Sequence, residues 1–269
     1  MITYAVVGHN EVALLANALE QALVARRGDE PVWFVDSAST DGSAEVAAGM
    51  GAEVIGAPLG KGSAVAAAAQ RCETQYICVI DADLERTTRN VPVTLREELE
   101  RTGADMVVGE FEWFEKPFRP TTTTIWNPLT GSLFPEAMAS VPLVPLSGFR
   151  VFDVELAREP LPPGFGLEVH LNIVGSVDGR RTVTTDIGVY KGTVRPNPGL
   201  PSDIARAILD LAVARGRLAA SARPLWDDWI EPILELIAVT TPDDMERRRM
   251  LDEAAARPLP PTMVGAATT

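Results

Sequence analysis

The chain has 269 residues, of which 46% are apolar and 23% charged, enough for one full core with a small appendage. Its 37 acidic and 24 basic residues give a formal charge of -13, a field that repels a nucleic-acid backbone and argues against nucleic acid as a partner. No apolar run reaches the roughly 20 residues of a membrane span, and no basic leader precedes the first apolar segment, so the expected compartment is the cytoplasm.

Residues 4–7 read as a buried strand, and Asn10 as the cap of a helix over 11–25 with Leu15, Leu19 and Leu23 at helical spacing. A strand over 32–35 leads through the turn Ser39-Thr40-Asp41-Gly42 to a short helix ending near 48, and 53–55 form a third strand. Gly60-Lys61-Gly62 opens an alanine-rich helix over 63–71, which carries Cys72 at its end. Cys72 and Cys78 are the only cysteines; two alone make no disulfide framework and are expected as buried thiols. A strand over 76–80, a helix over 91–101 and a strand over 105–108 follow. Residues 113–145 hold many prolines and Thr121 to Thr124, and read as an ordered functional loop plus a helix. A helix over 167–174, a strand over 181–189 and helices over 202–219, 226–239 and 242–255 complete the chain, with a frayed end. The alternating order predicts an α/β fold: a mainly parallel, Rossmann-like sheet with helices on both faces and a helical C-terminal extension. The apolar faces of that extension (Ile204, Ile208 and Leu211; Trp229, Ile233, Leu236 and Ile237) pack either on the main domain or in a homodimer. Arg247-Arg248-Arg249 reads as a solvated helix face.

In such sheets ligands bind beyond the carboxyl ends of the strands, which singles out the polar groups there. Asp81-Ala82-Asp83 sets two carboxylates two residues apart. One can accept from a ribose hydroxyl, and the other can hold Mg²⁺ or Mn²⁺ already bridged to a diphosphate. The alternative is a solvated turn with a helix cap. Asp36-Ser37-Ala38-Ser39-Thr40-Asp41 can bond a base or ribose, with Asp41 either a cap or a ligand contact. Gly60-Lys61-Gly62-Ser63 offers backbone N–H groups, a helix dipole and an ammonium to an anion, or is a simple loop-to-helix junction. His9-Asn10-Glu11 follows the first strand, with Asn10 structural and Glu11 placed to meet a nucleobase.

Together these motifs resemble the nucleotide-binding half of GT-A glycosyltransferases, family 2 in particular. There the first strand ends in Asn-Glu, the second in Asp-Ser-x-Ser-Thr-Asp and a later one in Asp-x-Asp; all three occur here in order over 1–110. Over 3–195, five further segments follow in order: Gly60-Lys61-Gly62, Pro128-Leu129, Leu133-Phe134-Pro135-Glu136, Pro145-Leu146-Ser147-Gly148 and Gly164-Phe165-Gly166-Leu167-Glu168. These are similar to the glucosyl-3-phosphoglycerate synthase and mannosylglycerate synthase group. Its members are retaining enzymes that move a hexose from a nucleotide diphosphate sugar to a small carboxylated acceptor.

The resemblance implies a catalytic domain over 1–200, with a nucleotide-binding half (1–110) and an acceptor-binding half (111–200). A helical extension (201–257) and a flexible tail (258–269) would follow. It implies that His9, Asn10, Glu11, Asp36, Ser37, Lys61, Asp81 and Ala82 bind the nucleotide, Asp81 through the ribose, and that Asp83 holds the metal. Leu146, Ser147 and Gly148 would line the sugar pocket, Arg119 and Thr122 the acceptor, and Glu168 would stand at the reacting centre. Catalysis would fall to Glu168, Asp83 and Lys61.

Two departures stand out. The family's late metal-binding histidine is missing from Ile187-Gly188-Val189-Tyr190-Lys191-Gly192-Thr193. His170, two residues from Glu168, is a substitute ligand, or Lys191 supplies positive charge instead. Phe149 stands where the family's Pro-Leu-Ser-Gly is followed by Glu. Two other readings stay open: an inverting family 2 enzyme with Glu168 or Asp153 as base, and a non-catalytic nucleotide-sugar-binding domain. A nucleotidyltransferase is disfavoured, because Gly8 to Glu11 lack that class's basic, glycine-rich loop.

Overall fold

The computed structural model describes residues 1–114, 119–191, 197–238 and 245–263. The first half alternates as the sequence predicts: β1 (Ile2–Gly8), α1 (Leu15–Ala25), β2 (Val32–Ser37), α2 (Ser43–Gly49), β3 (Glu53–Ala57), α3 (Lys61–Arg71) and β4 (Tyr76–Asp81). After β5 (Arg86–Thr87) come α4 (Val91–Thr102) and β6 (Met106–Trp113). The start of α4 is chemically clear: the Asn90 side chain accepts from the Val93 N–H at 3.0 Å, and Gly103 closes the helix at φ 61°.

One helix start differs from expectation. Asn10 does not cap a helix; it sits in the left-handed region at φ 55°, and α1 begins five residues later, at Leu15. Val12 to Leu14 form an irregular turn, because the groups that would begin a helix are bonded to the neighbouring β2–α2 loop instead.

The middle of the chain holds a π-helical turn (Thr122–Trp126), α5 (Asn127–Leu133), α6 (Pro135–Ser140) and β7 (Arg150–Asp153). Then come a 3-10 turn (Val154–Ala157), α7 (Leu167–Val177), β8 (Thr182–Lys191), α8 (Leu200–Ala214), α9 (Arg223–Ala238) and α10 (Met245–Ala255). The sheet has eight strands in the order β3-β2-β1-β4-β7-β6-β8-β5. Strands β1, β2, β3, β4, β6 and β8 run in one direction, while β7 is antiparallel to both neighbours and β5 antiparallel to β8. Neither antiparallel strand was expected: β5 is two residues long, and β7 begins with an arginine that breaks the apolar run.

Alternate residues of each central strand serve opposite cores. Tyr4 and Val6 pack with Leu15, Leu19, Leu95 and Leu99 under α1 and α4, while Ala5 and Val7 pack with Val65, Ala68 and Leu171 under α3 and α7. Strands buried on both sides read as unbroken apolar runs, which is why the sequence shows them so plainly. Both cysteines are buried.

A third apolar cluster joins Ile125, Trp126, Leu129 and Phe134 to Val169 and Ile173 of α7 and to Ile204, Ile208, Trp229 and Ile233. The apolar faces of α8 and α9 are therefore covered within the chain. Arg247 and Arg248 are half-buried and only Arg249 is exposed, so that run is not a fully solvated face. Residues 258–263 are also held: Trp226 Nε1 donates to the Pro261 carbonyl at 3.1 Å and the Ala219 N–H to that of Thr262 at 2.9 Å. The frayed tail of the sequence reading lies, for 264–269, outside the described residues, as do 192–196 and the expected first turn at 242–244.

Candidate active site

At the carboxyl end of the parallel strands two loops lock together. Asn10 N–H donates to Ser39 Oγ at 2.9 Å, Asn10 Oδ1 accepts from Thr40 N–H at 2.8 Å, and Glu11 N–H donates to Ser43 Oγ at 3.0 Å. Asp41 bridges both loops: Oδ1 accepts from Ser43 N–H at 3.0 Å, and Oδ2 from Val12 N–H at 3.0 Å. The Ser43 hydroxyl holds the Asp41 carboxyl below the usual carboxylate range. Asn10 and Ala38, at φ 55° and 60°, are the non-glycine residues with positive φ among those described, one in each loop. Such backbone strain gathers where a loop must present groups to a ligand. Exposed His9 is tied through Nδ1 to the Ser37 carbonyl at 2.8 Å. Asp36 accepts from Ser39 N–H through Oδ1 at 2.9 Å.

Ser37 departs from its expected role. It is 3% exposed, its hydroxyl donates to the Pro58 carbonyl at 3.2 Å and accepts from Gly60 N–H at 2.9 Å, so it pins the β3–α3 loop instead of facing a nucleotide. The predicted anion cradle at the start of α3 is also corrected. Gly62 N–H donates to the Gly164 carbonyl at 3.2 Å and Ser63 N–H to that of Pro163 at 3.0 Å. A Cβ at Gly62 would lie 1.7 Å from the Pro162 carbonyl oxygen, so glycine is there for a close backbone approach. The helix terminus binds the chain itself, and what it offers outward is the lysine.

Lys61 Nζ lies 2.6 Å from Asp81 Oδ1 and 2.6 Å from Glu168 Oε1. Burial pulls its pKa down, but the Asp81 and Glu168 carboxylates more than offset this and hold the ammonium above the usual lysine range. Asp81 ends β4; Glu168 is in the first turn of α7 and 5% exposed. Gly148 closes the cluster: a Cβ there would lie 1.9 Å from Asp81 Oδ2 and 2.6 Å from Lys61 Nζ. Ala82 is fixed by its N–H bond to the Val7 carbonyl at 2.9 Å and lies against Gly8, whose own Cβ would fall 3.5 Å from Glu11 Cγ. Glu11 and Ala82 thus lie close together around Gly8, and Asp81, next in the chain to Ala82, carries the contact with Lys61. Asn17, unremarked in the sequence, holds the following turn by donating to the Leu84 and Glu85 carbonyls at 2.7 Å each.

The remaining predicted residues separate. Ser147 is 1% exposed with its hydroxyl bonded to Phe149 N–H at 3.3 Å, so it shapes the loop and does not line a pocket. Leu146 and Thr122 are half-buried, Leu146 against the third core. Arg119 is half-buried with its pKa lowered by burial alone; among the described residues no carboxylate pairs with it. Lys191 is exposed with Nζ 5.3 Å over the Phe114 ring, apart from the Lys61 cluster. Phe149 turns into an aromatic group with Phe111 and Tyr190, at centroid distances of 5.9 and 6.0 Å. His170 lies two helical positions, about 200° of rotation, from Glu168, so the two side chains leave α7 on different faces. It is 7% exposed, and burial and Arg215 lower its pKa to about 4. Asp153 caps the 3-10 turn through Glu155 N–H at 3.0 Å; because β7 is antiparallel, it emerges at the opposite end of the sheet and is no catalytic base.

Among the described residues no group of three or more His, Cys, Asp or Glu side chains is placed to hold a metal ion. One Asp81 oxygen is already paired with Lys61. The donor set therefore fits a cation that arrives on a diphosphate and takes only one or two carboxylates from the protein, a mode usual for Mg²⁺.

Three side chains that the sequence did not single out complete the surroundings. Arg150 and Asn172, 1% and 0% exposed, lie beneath Glu168, and Asp203 of α8 accepts from Phe165 N–H at 3.0 Å. An arginine opening an otherwise apolar strand segment was the available signal for the first.

The sequence profile of Glycosyl transferase family 2 matches residues 4–159. No curated protein matches the chain. Among solved structures, glucosyl-3-phosphoglycerate synthase from Mycobacterium tuberculosis, in complex with Mn²⁺, UDP-glucose and phosphoglyceric acid, is 24% identical with a TM-score of 0.69, covering 82% of this chain and 82% of that one. The same enzyme with Mg²⁺ and UDP is 23% identical with a TM-score of 0.67, covering 78% of each chain. Mannosyl-3-phosphoglycerate synthase from Rubrobacter xylanophilus is 22% identical with a TM-score of 0.70, covering 81% of this chain and 76% of that one. At these identities the likeness establishes a shared fold.

Proposed function

The chain belongs to glycosyl transferase family 2 and is a glycosyltransferase of the GT-A fold; from that premise we propose that it moves a hexose from a nucleotide diphosphate sugar to a small hydroxyl acceptor bearing a carboxylate or phosphate, with retention of configuration. The observation that carries this reading is the Lys61 ammonium, held 2.6 Å from Asp81 on the nucleotide side and 2.6 Å from Glu168 on the other. A departing nucleoside diphosphate builds negative charge, and a preorganised, largely buried cation is what stabilises it. Lys61 is that cation once the diphosphate competes for it. Glu11 and Asp36 bind base or ribose, and Asp81 the ribose. Asp83 would hold Mg²⁺ or Mn²⁺, which when bound supplies Lewis-acid neutralisation of the same diphosphate. Glu168 orients sugar hydroxyls and steadies positive charge at the anomeric carbon. No covalent nucleophile is assigned.

Arg119 supports an anionic acceptor, since it is a half-buried guanidinium for which no described carboxylate is a partner, in an acidic chain. Phe149 stands in place of the family's glutamate, so neither the sugar nor the acceptor is carried over from the solved enzymes. A cytoplasmic location is part of the proposal; among the described residues no helix is long and apolar enough to cross a membrane.

A thermal-shift series with UDP, UDP-glucose and other nucleotide sugars, each with and without Mg²⁺ or Mn²⁺, tests the reading, because ligands selective for the folded state raise its stability. A metal-enhanced shift in the wild type that Asp83→Ala loses, with the fold kept, is the expected result. Full transfer activity in Asp83→Ala removes the metal assignment, and no shift with any nucleotide removes the function. Product stereochemistry by NMR decides between retention and inversion. Nucleotide binding without turnover across acceptors would point to the non-catalytic alternative.

A further inference from the structure

Arg150 is among the largest fully buried side chains of the molecule, and its charge is not used by any step above. Its guanidinium donates to the Ser147 carbonyl, to the Glu168 carbonyl at 3.3 Å and to Asn172 Oδ1 at 3.1 Å. Asn172 in turn donates to the Pro145 carbonyl at 2.8 Å. Two segments meet on this one fork. One is the loop 145–148, whose last residue abuts Asp81 and Lys61. The other is the first turn of α7, which carries Glu168.

We infer that Arg150 is a positioning residue of the transfer site, a clamp that fixes the Gly148 loop against the Glu168 turn. The inference rests on the function proposed above for what the clamped groups do. A rigid planar fork suits the task, since it reaches several acceptors at once and keeps its proton. The arrangement costs stability, because among the described residues the buried guanidinium has no ion pair and its Nε–H no hydrogen-bond partner. Only the Glu168 and Asp81 charges, acting through space, offset the burial. An apolar residue at the head of β7 would be the natural choice for stability alone. With Lys61 it balances the two carboxylates, two charges against two, so the cluster stays neutral before a ligand enters.

Hydrogen exchange on the free chain, comparing the wild type with Arg150→Met, Arg150→Lys and Asn172→Ala, needs no ligand. In Arg150→Met and Asn172→Ala, exchange in peptides covering 145–149 and 167–171 rises at least tenfold while β1, β2 and α1 keep their protection. Uniformly faster exchange, or none, in both variants overturns the clamp; Asn172→Ala decides if Arg150→Met does not fold. The second arm uses UDP-glucose with Mn²⁺. Arg150→Met keeps UDP affinity within about threefold but loses at least a hundredfold in kcat for donor turnover, and Arg150→Lys recovers at least tenfold of that loss. Equal loss in the lysine and methionine variants, or a loss confined to affinity, also overturns it. A wild type that binds no UDP would defeat the proposed function yet leave the exchange result standing.

Discussion

Residues 8–14 together with 37–43, and residues 145–172, both border the Lys61 cluster, and they are built differently. The first region is two loops at strand ends whose polar groups pair with one another: Asn10 with Ser39 and Thr40, Asp41 with Val12 and Ser43. Most of its shaping groups are polar residues within reach of water, so losing one can be answered by solvent. The second region is shaped by groups sealed in the core. Arg150, Asn172 and Ser147 are each 1% exposed or less, and apart from the Arg150–Asn172 contact their partners are backbone groups, some local (Phe149 N–H, the Ser147 carbonyl) and some distant in the chain (the Glu168 and Pro145 carbonyls). There a lost partner leaves a buried group unpaired at its full desolvation cost. Motif-rich loops can therefore vary at low cost, whereas the side built on Arg150 and Asn172 is specified by packing.

The sharpest break in this comparison is Lys61→Met, where the two regions meet. It removes the cation from between Asp81 and Glu168, each 2.6 Å away. Donor turnover should fall by roughly a hundred- to a thousandfold, as for loss of one preorganised electrostatic group, and stability by about 3–5 kcal/mol, as when one member of a buried pair is deleted. Lys61→Met with Glu168→Gln should regain part of the stability and none of the turnover. If urea unfolding shows the single variant as stable as the wild type, the pair is not sealed as described.

The contrast also explains what could be read in advance. The doubly buried strands, the strand-end motifs and the Lys61–Asp81 meeting were legible because they follow from runs of apolar residues and from polar residues at their ends. The β7 strand was not, since Arg150 interrupts its run and its pairing partners, Tyr76 to Val79 and Met106 to Val108, are remote in the chain. Ser37, Ser147 and the glycine-rich start of α3 make contacts their motifs do not announce, for one common reason. Each is a polar group in a motif, and the chain's own backbone reaches it before a ligand can.

His170 sharpens the comparison by testing α7 away from the cluster. Its folded pKa is about 4 against an ordinary 6.5, because burial and Arg215 disfavour the cation. The unfolded chain therefore takes up a proton as pH falls through 6.5 while the folded chain waits until about 4, so this contribution is complete above 6.5 and lost across that window. The loss is at most about 3 kcal/mol. His170→Phe should flatten the stability profile there without changing nucleotide affinity; a profile unchanged from the wild type would mean the ring is not buried neutral.

Gly62→Ala probes the contact between α3 and the 162–164 loop. The added methyl would sit 1.7 Å from a backbone oxygen, which cannot swing aside as a side chain can, so overpacking should cost about 1–3 kcal/mol. Gly148→Ala is the informative partner. Its neighbours are the movable tips of Asp81 and Lys61, so the fold should hold better while donor turnover falls more. Equal thermal shifts in the two variants would blur the distinction between packed backbone and ligand-facing side chains.

The smallest effect should come from Asp203→Ala, and it decides whether α8 belongs to the site's framework or is only attached to it. Asp203 Oδ2 accepts from Phe165 N–H at 3.0 Å, and a Cβ at Gly164 would fall 2.0 Å from the same oxygen, so the carboxylate fills the bend that leads into α7. Without it one amide loses its partner, at about 1 kcal/mol. The bend precedes Glu168 by three residues and its carbonyls accept from the Gly62 and Ser63 N–H groups at the start of α3, so loosening it shifts Glu168 and Lys61 together. Turnover should then drop several-fold, with Asp203→Asn, which keeps an oxygen in place, close to the wild type. A loss of stability with turnover untouched would leave α8 as a covering for the third core, and the framework of the site would end at α7.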